Sequence, residues 1–107
     1  MISKKINTTT CPVEFTLDLI GGKWKGIILY HLIDGKKRFG ELKKFMPNIT
    51  QRMLTKQLRE LERDNLISRK IYKVVPPKVE YSLTKQGKTL KKIILLLEEW
   101  GQNYKKV

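Results

Sequence analysis

The sequence is poor in cysteine and in long apolar runs, and each shortage excludes some classes of protein. A single cysteine, Cys11, excludes a disulfide within the chain and is typical of a reducing compartment. The longest uninterrupted apolar run is Ile93–Leu97, which is far too short to cross a bilayer. The first ten residues also lack the apolar stretch of a signal peptide. We therefore expect a cytoplasmic protein with no membrane partner.

Acidic residues are also scarce, and the result is a strong positive charge. Twenty-three Lys and Arg stand against ten Asp and Glu, which gives a formal net charge of +13. Such an excess indicates a polyanionic partner, either nucleic acid or an anionic surface. The only histidine, His31, lies on an apolar stripe without a second ligand nearby, so we expect it at the edge of the core and predict no metal or cofactor.

The segment from Asn48 to Leu66 has the pattern of an amphipathic helix with a cationic face. Leu54, Leu58 and Leu61 recur at intervals of four and three residues, so they form one apolar stripe. The opposite side is polar and basic, which is typical of a helix that is fixed to a core by leucines and turned toward nucleic acid. The predicted DNA-contacting residues on that side are Gln51, Arg52, Thr55, Lys56 and Arg59.

Signals at both ends of this segment predict a helix-turn-helix over about residues 39–65. Asn48 or Thr50 is suited to cap the start of the helix, and Asn65 is suited to the left-handed residue that ends it. A short helical pattern precedes it and stops at Pro47. Two short helices joined by so tight a turn are the helix-turn-helix arrangement.

The residues after this unit predict a β-hairpin and a final helix. Apolar and polar residues alternate in 67–72 and again in 79–83, which is the period of a strand. A hairpin over about 67–83, directly after a recognition helix, is a wing. Thr84 then caps a predicted helix over about 85–104.

That last helix is apolar on more sides than one domain core can cover. We therefore expect a second copy of the chain to cover the remainder, and hence a homodimer. One domain spans residues 11–107, preceded by a flexible basic arm over 1–10. The predicted dimer contacts are Ile93, Leu96, Leu97, Trp100 and Tyr104.

Three segments resemble the HxlR-type transcriptional regulators, small winged-helix proteins allied to the MarR regulators. They are CPVEFTLDLIGGKWK, RFGELKKFMPNITQRMLTKQLRELE and PPKVEYSLTKQG, and the similarity extends from Cys11 to about Gly101. Asn65 replaces the usual glycine of the pattern, and Lys92 replaces a common proline, so we expect a straighter last helix. Neither departure lies on the predicted DNA-contacting face.

The resemblance implies a mainly α fold with a small β-hairpin (α+β), a winged helix-turn-helix whose dimer is formed by the N- and C-terminal helices. It implies a sequence-specific regulator of double-stranded DNA, more often a repressor. Some members use the cysteine of the Cys-Pro pair as a sensor of oxidants or electrophiles, here Cys11. A buried or inert thiol is an equally open interpretation of that residue. Control by a small-molecule effector is a separate open alternative.

The predicted contacts divide into base contacts and backbone contacts. The N-terminal residues of a recognition helix lie nearest the base edges. Arg52 is suited to guanine and Gln51 to adenine, whereas Lys56 and Arg59 are better placed for phosphate. Further phosphate or minor-groove contacts are predicted in the basic turn at 36–38 and at the two ends of the wing loop, namely at Lys36, Lys37, Arg38, Lys73 and Lys78.

Other functions fit the sequence less well. A non-specific architectural DNA-binding protein is the main alternative, although it does not need the base-capable side chains of the recognition helix. An RNA-binding module is disfavoured because the aromatic residues form no stacking platform on strands. An enzyme is not expected, since there is no nucleophile with a neighbouring base, no paired carboxylates and no phosphate-binding glycine loop.

Overall fold

The computed structural model describes residues 11–105, and the predicted arm over 1–10 lies outside the described residues. Helices dominate this part of the chain, and the strands form one small sheet. The elements in chain order are α1 (Pro12–Ile20), α2 (Lys25–Leu32), β1 (Lys37–Arg38), α3 (Phe39–Phe45), α4 (Gln51–Arg63), β2 (Ile67–Tyr72), β3 (Lys78–Leu83), α5 (Lys85–Lys88) and α6 (Lys91–Lys105).

The sheet is antiparallel, with strand order β1-β3-β2. The predicted wing is present as the β2–β3 hairpin, in which Ile67 lies opposite Leu83 and Tyr72 opposite Lys78. The third strand was not predicted, because residues 36–38 were interpreted as a basic surface turn. Two residues of that segment, Lys37 and Arg38, instead pair with β3. A strand of two residues is too short to show a period in the sequence.

The core lies between the helix-turn-helix, α2 and the start of the wing. The leucine stripe of α4 is fully buried, as its spacing predicts, and Thr50 rather than Asn48 caps the helix by accepting a hydrogen bond from the Met53 amide at 3.0 Å. The buried apolar residues are Ile20, Ile28, Leu29, Leu32, Leu42, Met46, Ile49, Leu54, Leu58, Leu61, Leu66, Ile67 and Ile94.

The C-terminal end of α4 is closed by a left-handed residue. Asn65 has φ of 61°, and the Leu66 amide bonds back to the Leu61 carbonyl at 3.0 Å. Asparagine tolerates this conformation better than any other residue with a side chain. The turn ends the helix abruptly and sends the chain directly into β2.

The predicted single helix over 85–104 is divided in the structure. Thr84 does cap the first piece, accepting a hydrogen bond from the Gly87 amide at 2.9 Å, but α5 ends at Lys88 and α6 begins at Lys91. Gly87 is buried against the backbone of Leu66, where an added Cβ would collide with the carbonyl oxygen. This tertiary contact fixes the first turn, and the sequence pattern gives no sign of it.

Across residues 11–105, every helix is too short or too polar to span a bilayer.

Candidate nucleic-acid interface

The five predicted residues on α4 form one surface, which we call the recognition face (Gln51, Arg52, Thr55, Lys56 and Arg59). All are exposed except Thr55, which is half-buried. The Thr55 hydroxyl donates to the carbonyl of Gln51 at 2.9 Å, which leaves its oxygen free to accept a hydrogen bond. Since the leucine stripe holds the opposite side of α4 in the core, these side chains are held outward by a rigid element.

The charged and amide groups of the recognition face make no ion pair or side-chain hydrogen bond with the described residues. No carboxylate between residues 11 and 105 lies within ion-pair distance of Arg52, Lys56 or Arg59, and the Gln51 side chain makes no hydrogen bond in that part of the chain. Arginine and glutamine that lack internal partners retain their full set of donors for a ligand.

The acidic residues of α4 are engaged elsewhere. Glu60 accepts from Lys25 of α2 at 2.7 Å, and this hydrogen bond is the main reason that the pKa of Glu60 is lowered. Glu62 lies 3.6 Å from Arg69 of the wing. These pairs connect α4 to its neighbours and engage both carboxylates, although Glu60 still borders the recognition face and lies near enough to Lys56 for their charges to interact.

The five predicted backbone-contacting cations are not equivalent. Lys37 is bound to Asp34 at 2.9 Å with only 16% of its side chain exposed, and it lowers the pKa of Asp34. Lys36 and Lys78 lie near Glu80. Arg38 and Lys73, in contrast, are exposed, and their side chains make no ion pair within residues 11–105, although the backbone amide of Arg38 donates to the Glu41 carboxylate at 2.8 Å. The sequence showed the positive charges but not their internal counter-ions.

Cys11 is exposed and directly precedes α1. Backbone N–H groups of Glu14 and Val13, in the first turn of that helix, lower the pKa of the thiol. A lowered pKa increases the thiolate fraction near neutral pH, and the thiolate is the form that reacts with oxidants.

A second exposed surface is apolar and lies on the two terminal helices, α1 and α6. Val13 and Leu17 of α1 are 65% and 60% exposed. On α6, the Trp100 and Tyr104 rings stack on each other at 4.9 Å, and each is 66% exposed. Between α1, α2 and α6 lies an open cleft of about 520 Å³. The five predicted dimer contacts, Ile93, Leu96, Leu97, Trp100 and Tyr104, are all exposed in the single chain.

His31 has the setting of a packed core-edge residue. Its ring stacks on Phe45 with 4.5 Å between centroids, and burial lowers its pKa. Among residues 11–105, no group of three or more His, Cys, Asp and Glu side chains is arranged to hold a metal ion.

Comparison with known proteins identifies the family. Residues 19–107 match the model of the HxlR-like helix-turn-helix. The HTH-type transcriptional regulator YdeP of Bacillus subtilis strain 168 is 70% identical over 95 residues, which are 89% of this chain and 74% of YdeP. YybR of the same organism, also an HTH-type transcriptional regulator, is 62% identical over 101 residues, covering 94% of this chain and 81% of YybR.

A solved structure of the redox regulator HypR in its oxidised form superposes with a TM-score of 0.85 and 66% identity, covering 87% of this chain and 96% of that one. The winged helix-turn-helix fold expected from the sequence is thereby confirmed, and the relatives are regulators rather than enzymes. This chain belongs to the HxlR family of DNA-binding helix-turn-helix transcriptional regulators.

Proposed function

We propose that the protein is a homodimeric repressor that binds an inverted-repeat operator in double-stranded DNA through the recognition face of α4. The observation that carries this proposal is the pairing of an exposed cationic face, which makes no ion pair within residues 11–105, with a fully buried leucine stripe on the same helix. Such a helix is anchored by its own chain and has its polar groups available for an external polyanion.

Base selection is assigned to the first turn of α4. Arg52 has the fork geometry to bond guanine O6 and N7 together, and Gln51 does the same at adenine N6 and N7; each such pair is worth about 1–3 kcal/mol of discrimination. Lys56 and Arg59 lie farther along the helix and are assigned to phosphate. Arg38 and Lys73, whose exposed side chains make no ion pair within residues 11–105, add contacts that carry no sequence information.

The exposed apolar surface of α1 and α6 supports the dimer. Seven large apolar side chains on these helices are between 43% and 66% exposed, more than a monomeric surface of this size ordinarily leaves to water. A twofold axis between two such surfaces would place the recognition helices on one side of a duplex. The half-sites are then expected about 34–36 Å apart, one turn of DNA. The surface residues are Val13, Leu17, Ile93, Leu96, Leu97, Trp100 and Tyr104.

Selection of bound sequences from random duplexes tests the proposal directly. An inverted repeat should emerge, and the affinity for it should exceed the affinity for random DNA by about 10³-fold or more. Arg52→Ala should lose most of that preference, whereas Lys73→Ala should weaken binding to both duplexes equally. A wild-type affinity ratio near one would instead favour an architectural DNA-binding protein, and equal losses for both variants would contradict the division of labour.

Control of DNA binding by the thiol of Cys11 is part of the proposal. The thiol is exposed, its pKa is lowered by the start of α1, and HypR, which is similar over most of this chain, is a redox regulator. With one cysteine per chain, oxidation yields a sulfenic acid, a mixed disulfide or a bridge between subunits. Diamide should change the operator affinity of the wild type by several-fold and leave Cys11→Ser unaffected; an equal response of both would make Cys11 structural.

A further inference from the structure

One acidic residue, Glu80, lies at the centre of the basic part of the sheet. It is in the middle strand, and Arg38 of β1 and Lys70 of β2 are its paired neighbours. Two more cations approach its carboxylate from different segments: the Lys36 ammonium lies 3.4 Å from Oε1 and the Lys78 ammonium 3.6 Å from Oε2. A single negative charge is thus shared by two lysines that belong to the predicted DNA-contacting set.

One oxygen of the Glu80 carboxylate is buried, and the contacts between the carboxylate and the two lysines are long. Only 12% of the Glu80 side chain is exposed, and its buried Oε1 accepts no hydrogen bond from any described residue. Both N···O distances exceed the 2.7–2.9 Å of a strong charge-assisted hydrogen bond. A hydrogen bond from the Tyr72 side chain is the main reason that the pKa of Glu80 is lowered, but it leaves the buried Oε1 without a hydrogen bond from the described residues, which is not an efficient way to stabilise a hairpin. Packing alone therefore does not account for this residue.

The two lysines differ in how readily they can leave the carboxylate. The side chain of Lys36 is 62% exposed, whereas that of Lys78 is 33% exposed and lies over the ring of Tyr72 at 4.6 Å. A phosphate approaching this edge of the sheet competes with Glu80 for both ammonium groups, and the fixed negative charge repels that phosphate. The local excess of positive charge is smaller than the count of lysines suggests.

We propose that Glu80 is an internal counter-ion that competes with DNA phosphate for Lys36 and Lys78 and so limits the sequence-independent part of the affinity for DNA. This inference rests on the DNA binding proposed above. Glu80 is a positioning residue, because it acts through the two lysines. Since phosphate contacts carry no sequence information, its charge sets the strength of binding to every duplex alike.

The decisive variant is Glu80→Gln, which keeps the shape of the side chain and removes its charge. We expect affinity for a random duplex to rise about three- to tenfold near 0.1 M salt. The slope of log affinity against log salt concentration should become steeper by about one, the change expected for about one more phosphate contact per protomer. Asp18→Asn, an exposed change of the same charge on α1, is the matched control and should shift the affinity less than twofold. Circular dichroism confirms that each variant is folded.

A second comparison shows whether the lysines carry the effect. In a Lys36→Ala, Lys78→Ala background, Glu80→Gln should raise affinity less than twofold, because the groups it restrains are gone. An undiminished gain in that background would overturn the proposal, as would unchanged or weaker random-DNA binding by a folded Glu80→Gln variant.

If Glu80→Gln does not fold, single lysine variants decide the question. Lys73→Ala removes a wing lysine that has no ion pair within residues 11–105, and it should lower the slope of log affinity against log salt concentration by about one. Lys36→Ala should lower that slope by less than half as much. Equal losses would overturn the proposal. The outcome is separable from the function proposed above: if Arg52→Ala still abolishes operator preference, only the role of Glu80 fails, whereas a wild type that binds no duplex refutes the DNA binding itself.

Discussion

Helices α4 and α6 are of similar length and amphipathic, yet their apolar faces are buried to different extents. On α4, Leu54, Leu58 and Leu61 are at most 1% exposed. On α6 only Ile94 is buried, and neighbours such as Leu96 and Leu97 remain more than half exposed. The apolar face of α4 is therefore covered by its own chain, whereas most of the apolar face of α6 is not.

This difference in burial indicates that the exposed sides of α4 and α6 are suited to different partners. The exposed side of α4 is cationic and polar and needs no further burial, so its ligand is a charged one. The exposed side of α6 is apolar. Each Å² of it that stays in water forgoes a stabilising burial free energy of about 25 cal/mol. One helix is therefore suited to DNA and the other to an apolar protein surface, which is the division of labour that a dimeric regulator requires.

The sharpest test of the contrast is to truncate one leucine on each helix. Leu58→Ala should lower the free energy of unfolding by about 2–5 kcal/mol at every protein concentration, because it opens a cavity in the core. Leu96→Ala should cost about 0.5 kcal/mol or less in the monomer. Urea unfolding at low and high protein concentration measures both. A Leu96→Ala loss that matches Leu58→Ala under monomeric conditions would contradict the contrast.

In the proposed homodimer, a charge placed on the apolar side of α6 should separate the subunits. Leu97→Glu would bury a carboxylate against the partner's apolar surface, so we expect a monomer in sedimentation and an operator affinity reduced by about 100-fold, since the two half-sites are no longer linked. Gln102→Glu adds the same charge on another side of α6 and should remain dimeric. Two variants that sediment alike would show that this face is not the interface.

The smallest expected effect concerns how α4 is held against α2. The pKa of Glu60 is lowered mainly by its hydrogen bond from Lys25, so the pair stabilises the fold above the unfolded-state pKa of about 4.3 and loses its contribution as the pH falls through the lower folded value. Glu60→Gln should therefore cost on the order of 1 kcal/mol at pH 6 and less at pH 3. Unfolding curves at both pH values measure this; a pH-independent difference would contradict it.

The recognition helix and its surroundings were predictable because their signals are local. The leucine period of α4, the cap at Thr50 and the left-handed Asn65 each depend on a few adjacent residues, and the structure contains all three. The hairpin followed from the alternation of apolar and polar residues in 67–72 and 79–83, which lie in the observed strands β2 and β3. The family resemblance added the sensing role of the Cys11 thiol, which periodicity does not indicate, whereas the dimer was also expected from the apolar sides of the last helix.

The features that sequence analysis missed all depend on distant contacts. The strand β1 exists because β3 supplies partners for Lys37 and Arg38. The interruption between α5 and α6 follows the approach of Gly87 to Leu66, more than twenty residues earlier in the chain. The counter-ion of Lys36 is a glutamate more than forty residues away. A count of charges along the chain cannot distinguish such restrained cations from free ones.

The hydroxyl of Thr84 has a consequence for the length of the operator. It donates to the Asn65 carbonyl at 2.7 Å and accepts from the Gly87 amide, so the end of α4 and the start of α5 are joined firmly. In the proposed dimer, a joint of this kind leaves each α4 little freedom to follow a displaced half-site. One base pair added between the half-sites turns one of them by about 35° around the duplex axis. The protein should therefore discriminate the spacer of its operator as strictly as the bases themselves.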